Sequence, residues 1–134
     1  MRKKGLLICF VMIVMFVTGC GSKTTAPPLG LPDIEEITAV KVITIDGLSC
    51  SCSDREWIGQ FVSVISSAQA TDKAAIQDYP ASNYYGEFII LNDEEVMECI
   101  YYYAKDSRTY IEKIYQGIYE IGMDELKGLI RNMK

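Results

Sequence analysis

Three cysteines, Cys50, Cys52 and Cys99, are the side chains in this 134-residue sequence whose type and spacing come closest to supporting chemistry. Cys50-Ser51-Cys52 stands just before a helix start, where free amides and the helix dipole stabilise a thiolate and favour nucleophilic attack or soft-metal binding. With Cys99, or with Met97 close by, the pair offers ligands suited to copper(I). The same thiols can oxidise instead, Cys99 pairing with Cys50 or Cys52 and leaving one sulfur over, since a link across one residue is strained. All three can equally stay reduced. Neither a C-x-x-C pair nor a histidine accompanies them, so a structural or incidental role is the simpler expectation, and no cofactor or metal is assigned.

The absence of histidine from the whole sequence removes Ser-His-Asp and Cys-His nucleophile systems and the commonest general base near neutral pH. There is no phosphate-cradling glycine loop, and Gly47-Leu48-Ser49-Cys50-Ser51 fails the nucleophile-elbow pattern at its last position. Glu98 and Glu112 invite comparison with paired glycosidase carboxylates. If Asp106-Ser107 is a hairpin turn, however, Lys105 faces Arg108, Glu112 faces Tyr101 and Cys99 faces Ile114, which sends Glu98 to the opposite side of the sheet. Asn92-Asp93-Glu94-Glu95 lacks calcium-loop spacing and reads as an acidic turn. The expectation is a protein without catalytic residues, not an enzyme.

All nine tyrosines fall between Tyr79 and Tyr119, and Tyr101-Tyr102-Tyr103 are consecutive, so rings project to both sides of one strand. Tyr101, Tyr103 and Tyr110 are candidates for an exposed aromatic face that stacks on sugars or grips a partner, because tyrosine offers large contact area at low entropy cost. Strand propensity with half-buried rings explains the same pattern without a ligand.

These side chains must be held by a small set of elements. Residues 37–46 are rich in β-branched types and end at Gly47, which predicts a first strand; its alternation slips between Val42 and Ile43, as at a bulge or in a strand covered on both faces. Ser53-Asp54-Arg55-Glu56 fits a capping box. Beyond it, Trp57, Ile58, Phe61, Val62, Ile65 and Ala68 recur at helical spacing, predicting a helix over 54–68. Residues 69–82 lose periodicity and read as a loop with at most a short helical turn. Strands are expected at 84–91, 96–104, 108–115 and 118–121, and a last helix at 123–133 with Leu126, Leu129, Ile130 and Met133 as its apolar stripe. The order β-α-β-β-β-β-α describes an α+β domain: an antiparallel sheet of about four to five strands with helices packed on one face.

The first residues add an address. Met1-Arg2-Lys3-Lys4 and twelve apolar residues from Leu6 to Val17 form a basic and an apolar segment too short to span a bilayer. Val17-Thr18-Gly19-Cys20 resembles a lipobox, which implies a diacylglyceryl group on the Cys20 thiol and cleavage just before it. Two acyl chains form a stable anchor where one is marginal. The expected organisation is a signal peptide at 1–19, a lipidated Cys20 with a flexible Pro-containing tether to residue 32, and one domain over 33–134. Loss of three basic and no acidic residues leaves 10 minus 18, a charge of −8, which speaks against nucleic acid as a partner.

Leu31-Pro32-Asp33-Ile34-Glu35-Glu36-Ile37, the run Tyr84-Tyr85-Gly86-Glu87-Phe88, and residues 110–121 resemble an uncharacterised family of small Gram-positive lipoproteins, over most of 31–130. The resemblance implies a domain of unknown function on the outer side of the cell membrane, and similar domains on membrane sensor proteins would imply sensing or docking. The leading expectation is thus a lipid-anchored extracytoplasmic domain that binds a partner protein or envelope polymer. The alternatives are a thiol- or copper-handling protein using Cys50, Cys52 and Cys99, and an accessory or sensor subunit of a membrane protein.

Overall fold

The computed structural model describes residues 25–133. The segment expected to be a signal peptide, the expected lipidation site Cys20 and the first part of the expected tether lie outside the described residues. Among those described, no helix is long and apolar enough to cross a membrane.

The β-branched run forms β1 (Ala39–Ile43), and Gly47, at φ +86°, turns the chain into β2 (Ser49–Cys52). Thr44 holds this hairpin, its amide donating to the Leu48 carbonyl at 2.8 Å and its hydroxyl accepting from the Leu48 amide at 3.1 Å. Helix α1 (Arg55–Ser66) is capped by Asp54, whose carboxylate accepts from the Trp57 amide at 2.8 Å. The cap is therefore one residue later than the Ser53 capping box predicts. An aspartate caps as well as a serine, and its charge suits the positive helix end. Trp57, Ile58, Phe61 and Ile65 form the buried stripe of α1.

Seven strands make one antiparallel sheet, more than the four to five expected. After α1 come β3 (Gln69–Ala70), β4 (Gly86–Asn92), β5 (Glu95–Lys105), β6 (Arg108–Lys113) and β7 (Gly117–Ile121), then α2 (Met123–Arg131). The spatial order is β2-β1-β4-β5-β6-β7-β3. The two unexpected strands are the two edges. β2 consists of serine and cysteine, with no β-branched signal, and β3 is two residues held to Glu120 and Tyr119 of β7. The β5–β6 hairpin has the expected register, Lys105 opposite Arg108 and Tyr101 opposite Glu112, with Asp106 and Ser107 both at positive φ as a tight hairpin turn requires. β1 itself is regular; the bulge lies where β4 meets β5, at Ile90/Leu91.

Both helices pack on one face, over Val40, Val42, Phe88, Ile90, Ile100, Ile111 and Tyr119. Phe61 meets Phe88 edge-on at 5.2 Å, and the Trp57 indole donates to the Leu129 carbonyl at 2.9 Å, tying α1 to α2. The opposite face has a smaller cluster of Ala75, Tyr103, Tyr110 and Ile118.

Residues 25–32, expected as free tether, lie against the domain as a strap. Leu29 enters the core, with Ala26 and Leu31 packed beside it. Ala26 donates to the Thr71 carbonyl at 3.3 Å, Tyr119 to the Pro27 carbonyl at 2.6 Å, Gln116 to Pro28 at 3.1 Å and Lys113 to Gly30 at 3.0 Å. Prolines supply no amide but leave their carbonyls free to accept, so this run can dock without forming a strand.

Candidate functional site

The fold separates the three thiols. Cys50 and Cys52 sit opposite Val42 and Val40 on the helix side of β2, Cys50 exposed and Cys52 buried in the core. Cys99 pairs with Ile89 on the other side. Three strand spacings separate β5 from β2, roughly 14 Å across the sheet, so the three sulfurs do not converge on one ion. Among the described residues no group of His, Cys, Asp or Glu is arranged to hold a metal. Burial raises the pKa of the Cys99 thiol, and the charge and hydrogen bond of Glu87, then the charge of Glu98, push it further. That environment suppresses the thiolate which a nucleophile or copper ligand needs.

The two carboxylates take separate roles. Glu98 pairs with Lys113 at 2.8 Å on the helix side. Glu112 is buried on the other face, where it accepts from the Tyr103 hydroxyl at 2.8 Å and the Ala81 amide at 3.0 Å. Two donors to one oxygen are what make a buried carboxyl group tolerable.

That pairing belongs to a flap, residues 71–84, which crosses the sheet over β5, β6 and β7. Ala75 is buried beneath it, and the Tyr115 amide donates to the Ala75 carbonyl at 2.6 Å. The Lys73 ammonium bonds the Tyr110 hydroxyl at 3.1 Å and lies 4.4 Å from the centre of that ring. Tyr115 bonds Asp78 through its hydroxyl. The consequence is a correction: Tyr103 and Tyr110, candidates for an exposed aromatic face, are 2% and 4% exposed. The flap has no periodicity that would announce it as a cover. Burial, followed by the bond to Glu112 and its charge, holds the Tyr103 hydroxyl well above the usual tyrosine range.

Tyr101 alone of the three lies beyond the flap. It belongs to an open half of this face built from β1, β4 and the first part of β5: Lys41 and Ile43, Glu87, Ile89 and Leu91, Cys99 and Tyr101, all half-buried. Tyr85 meets Tyr101 edge-on at 5.3 Å. Burial, then Glu87 and Cys99, raise the Tyr101 hydroxyl, so it stays a neutral donor. In the β1–β2 turn and just before β4, Ile45, Leu48 and Tyr84 are exposed by 50%, 68% and 78%. Ile43, Ile89 and Leu91 carry no chemical signal, and only their strand alternation marks their side. Grooves on the far side, between α1 and α2, are lined by Glu56, Gly59, Gln60 and Asp124 among others and hold neither a cysteine nor a tyrosine.

A family model described as a domain of unknown function (DUF5300) matches residues 25–120. The chain belongs to this family. The match takes in the strap, every strand up to Glu120 and the flap, so the DUF5300 unit starts before residue 33. A solved structure titled "NMR structure of the protein from Ruminococcus gnavus" is similar at 31% identity and a TM-score of 0.62, over 75% of this chain and 98% of that one. No curated protein matches. The DUF5300 fold is thus an α+β domain, and what is shown of its role is that of a domain of unknown function.

Proposed function

We propose that this is a lipid-anchored, extracytoplasmic and non-enzymatic domain, which binds a partner protein or envelope polymer through the open half of its sheet. Three features support the anchor: the basic start, the short apolar segment and the lipobox-like Val17-Thr18-Gly19-Cys20. The family match begins five residues beyond Cys20, leaving the cysteine outside the matched residues. The observation that carries the binding reading is the uncovered surface of Ile43, Ile89, Leu91, Tyr85 and Tyr101. Soluble domains seldom leave a contiguous apolar surface of this kind without a use for it. The separated thiols and the raised Cys99 pKa lend no support to copper or thiol chemistry.

The test is photo-crosslinking on intact cells, with the reactive residue at position 89 and, as control, at Ser63 on the exposed side of α1. Position 89 should give an adduct of defined mass that disappears with Tyr85→Ala and Tyr101→Ala together. Equal adducts from position 63, or adducts indifferent to the tyrosines, would reject this surface.

A further inference from the structure

The two edges of the sheet differ in their cover. At one, β3 is two residues long and runs into Thr71, whose carbonyl accepts the Ala26 amide at 3.3 Å, so the strap closes it. At the other, β2 ends the sheet, and Ser49, Cys50 and Ser51 are exposed. Two hairpins fix which way the β2 backbone points. Lys105 and Arg108 close a two-residue turn, and the Thr44 amide donates to the Leu48 carbonyl, so both are hydrogen-bonded pairs. Alternation from either pair, carried across the registers, gives the same answer: Cys50 and Cys52 bond Val42 and Val40 of β1, while the amides and carbonyls of Ser49 and Ser51 point away from the sheet. Among the described residues no hydrogen bond reaches these four groups. β2 carries no lysine, proline or bulge, the usual guards of an exposed edge.

We infer that β2 pairs antiparallel with β2 of a second copy of this chain, about a two-fold axis through the Cys50 pair. Ser49-Cys50-Ser51 reads the same in both directions, as a two-fold contact requires. In this register Ser49 meets Ser51 of the second copy and Ser51 meets its Ser49, so all four outward groups of each copy find partners. Centring on Ser49 would set Ser51 against the Gly47 turn, and centring on Ser51 would set Ser49 against Ser53, outside β2. Alternation places Leu48, 68% exposed, on the helix side opposite the buried Cys52 of the second copy, where the contact covers it. Cys50 faces Cys50 in a non-hydrogen-bonded pair, roughly 4.5 Å apart at Cα, a separation that a disulfide spans. Within its own chain Cys50 has no such neighbour, since Cys52 is buried on the same strand and Cys99 lies on the opposite face. The contact is small, so copies exchange and the free chain keeps Cys50 open to alkylation. β1, the first strand of the open half, lies next to β2, so pairing sets two such surfaces side by side on one sheet. That consequence rests on the proposed binding face; the pairing itself does not.

Oxidation of intact cells that make the full chain tests the pairing. Diamide takes up two thiol hydrogens, becoming a hydrazine, as two sulfurs join. In a Cys99→Ser chain the dimer on non-reducing gels should be linked Cys50 to Cys50 by peptide mass, and should exceed the linked dimer of a Cys50→Ser control by at least about tenfold. Ser51→Pro removes only an outward amide, which an edge strand tolerates, and puts the proline ring where the second copy must bond. It should abolish the link while circular dichroism shows the fold intact. The register has its own test, which needs no proline. Two chains are made together, both Cys50→Ser and Cys99→Ser, one with Ser49→Cys and the other, tagged for size, with Ser51→Cys. They should link to each other in preference to themselves, because like positions lie diagonally, roughly 7–8 Å apart, beyond the reach of an unstrained bridge. A Cys50 dimer no more abundant than the control, a link untouched by Ser51→Pro in the folded variant, or self-linked chains as abundant as the mixed pair would overturn the inference. If Ser51→Pro fails to fold, the mixed pair decides alone.

Discussion

Replacing Tyr103 with phenylalanine probes the contact that decides which part of the sheet is open. The substitution keeps the ring, 5.7 Å from that of Tyr110, and removes one hydroxyl. Glu112, 1% exposed, then keeps only the Ala81 amide as donor. Loss of a hydrogen bond to a charged, buried acceptor costs about 1.5–3 kcal/mol. For a domain of this size that lowers Tm by about 6–12 °C. In urea the midpoint should fall with the slope m unchanged. A double-mutant cycle with Glu112→Gln should return a coupling energy above about 1 kcal/mol, since one change removes the donor and the other the charge of the acceptor of the same bond. Exchange of the Ala81 amide should accelerate in both single variants as the flap loosens. A Tyr103→Phe change within about 0.5 kcal/mol of the parent, with no coupling, would refute the claim that this pair fastens the flap.

Three further outcomes follow from the local geometry. Asp54→Ala should cost about 1 kcal/mol of stability in urea unfolding and Ser53→Ala about half of that or less, because Asp54 makes the cap. Stability should be insensitive to the Tyr103 hydroxyl up to the ordinary tyrosine pKa of 10.0 and decline above it. Its folded pKa is raised, so the folded state binds the proton more tightly and unfolding gains as pH rises; absorbance titration should show a tyrosine that ionises only as the domain unfolds. In the native protein, Cys50 should react with iodoacetamide well before Cys99, and raising the pH should accelerate Cys99, whose thiol burial and Glu87 hold protonated.

The parts legible in the sequence were those with a local physical signature. The stripes of α1 and α2 show helical period, and the β5–β6 register follows once Asp106-Ser107 is recognised as the turn. What stayed hidden was long-range. Ser49-Cys50-Ser51-Cys52 becomes a strand only because β1 offers it an edge, and Gln69-Ala70 only because β7 does. The burial of Tyr103 and Tyr110 comes from a flap without period, and nothing in Ala26-Pro27-Pro28-Leu29 advertises that Tyr119 and Gln116 will hold its carbonyls. The open half of the sheet was visible only through Tyr101, since Ile43, Ile89 and Leu91 look like ordinary core residues until the cover above them is found to stop short.

Recovering the protein from membranes of the organism that makes it, and weighing its N-terminal peptide, tests the central reading most directly. A peptide that begins at Cys20 and carries acyl chains, together with release of a Cys20→Ala variant from the membrane fraction, is the predicted result. A chain with residues 1–19 still attached, equally membrane-bound with alanine at position 20, would contradict it.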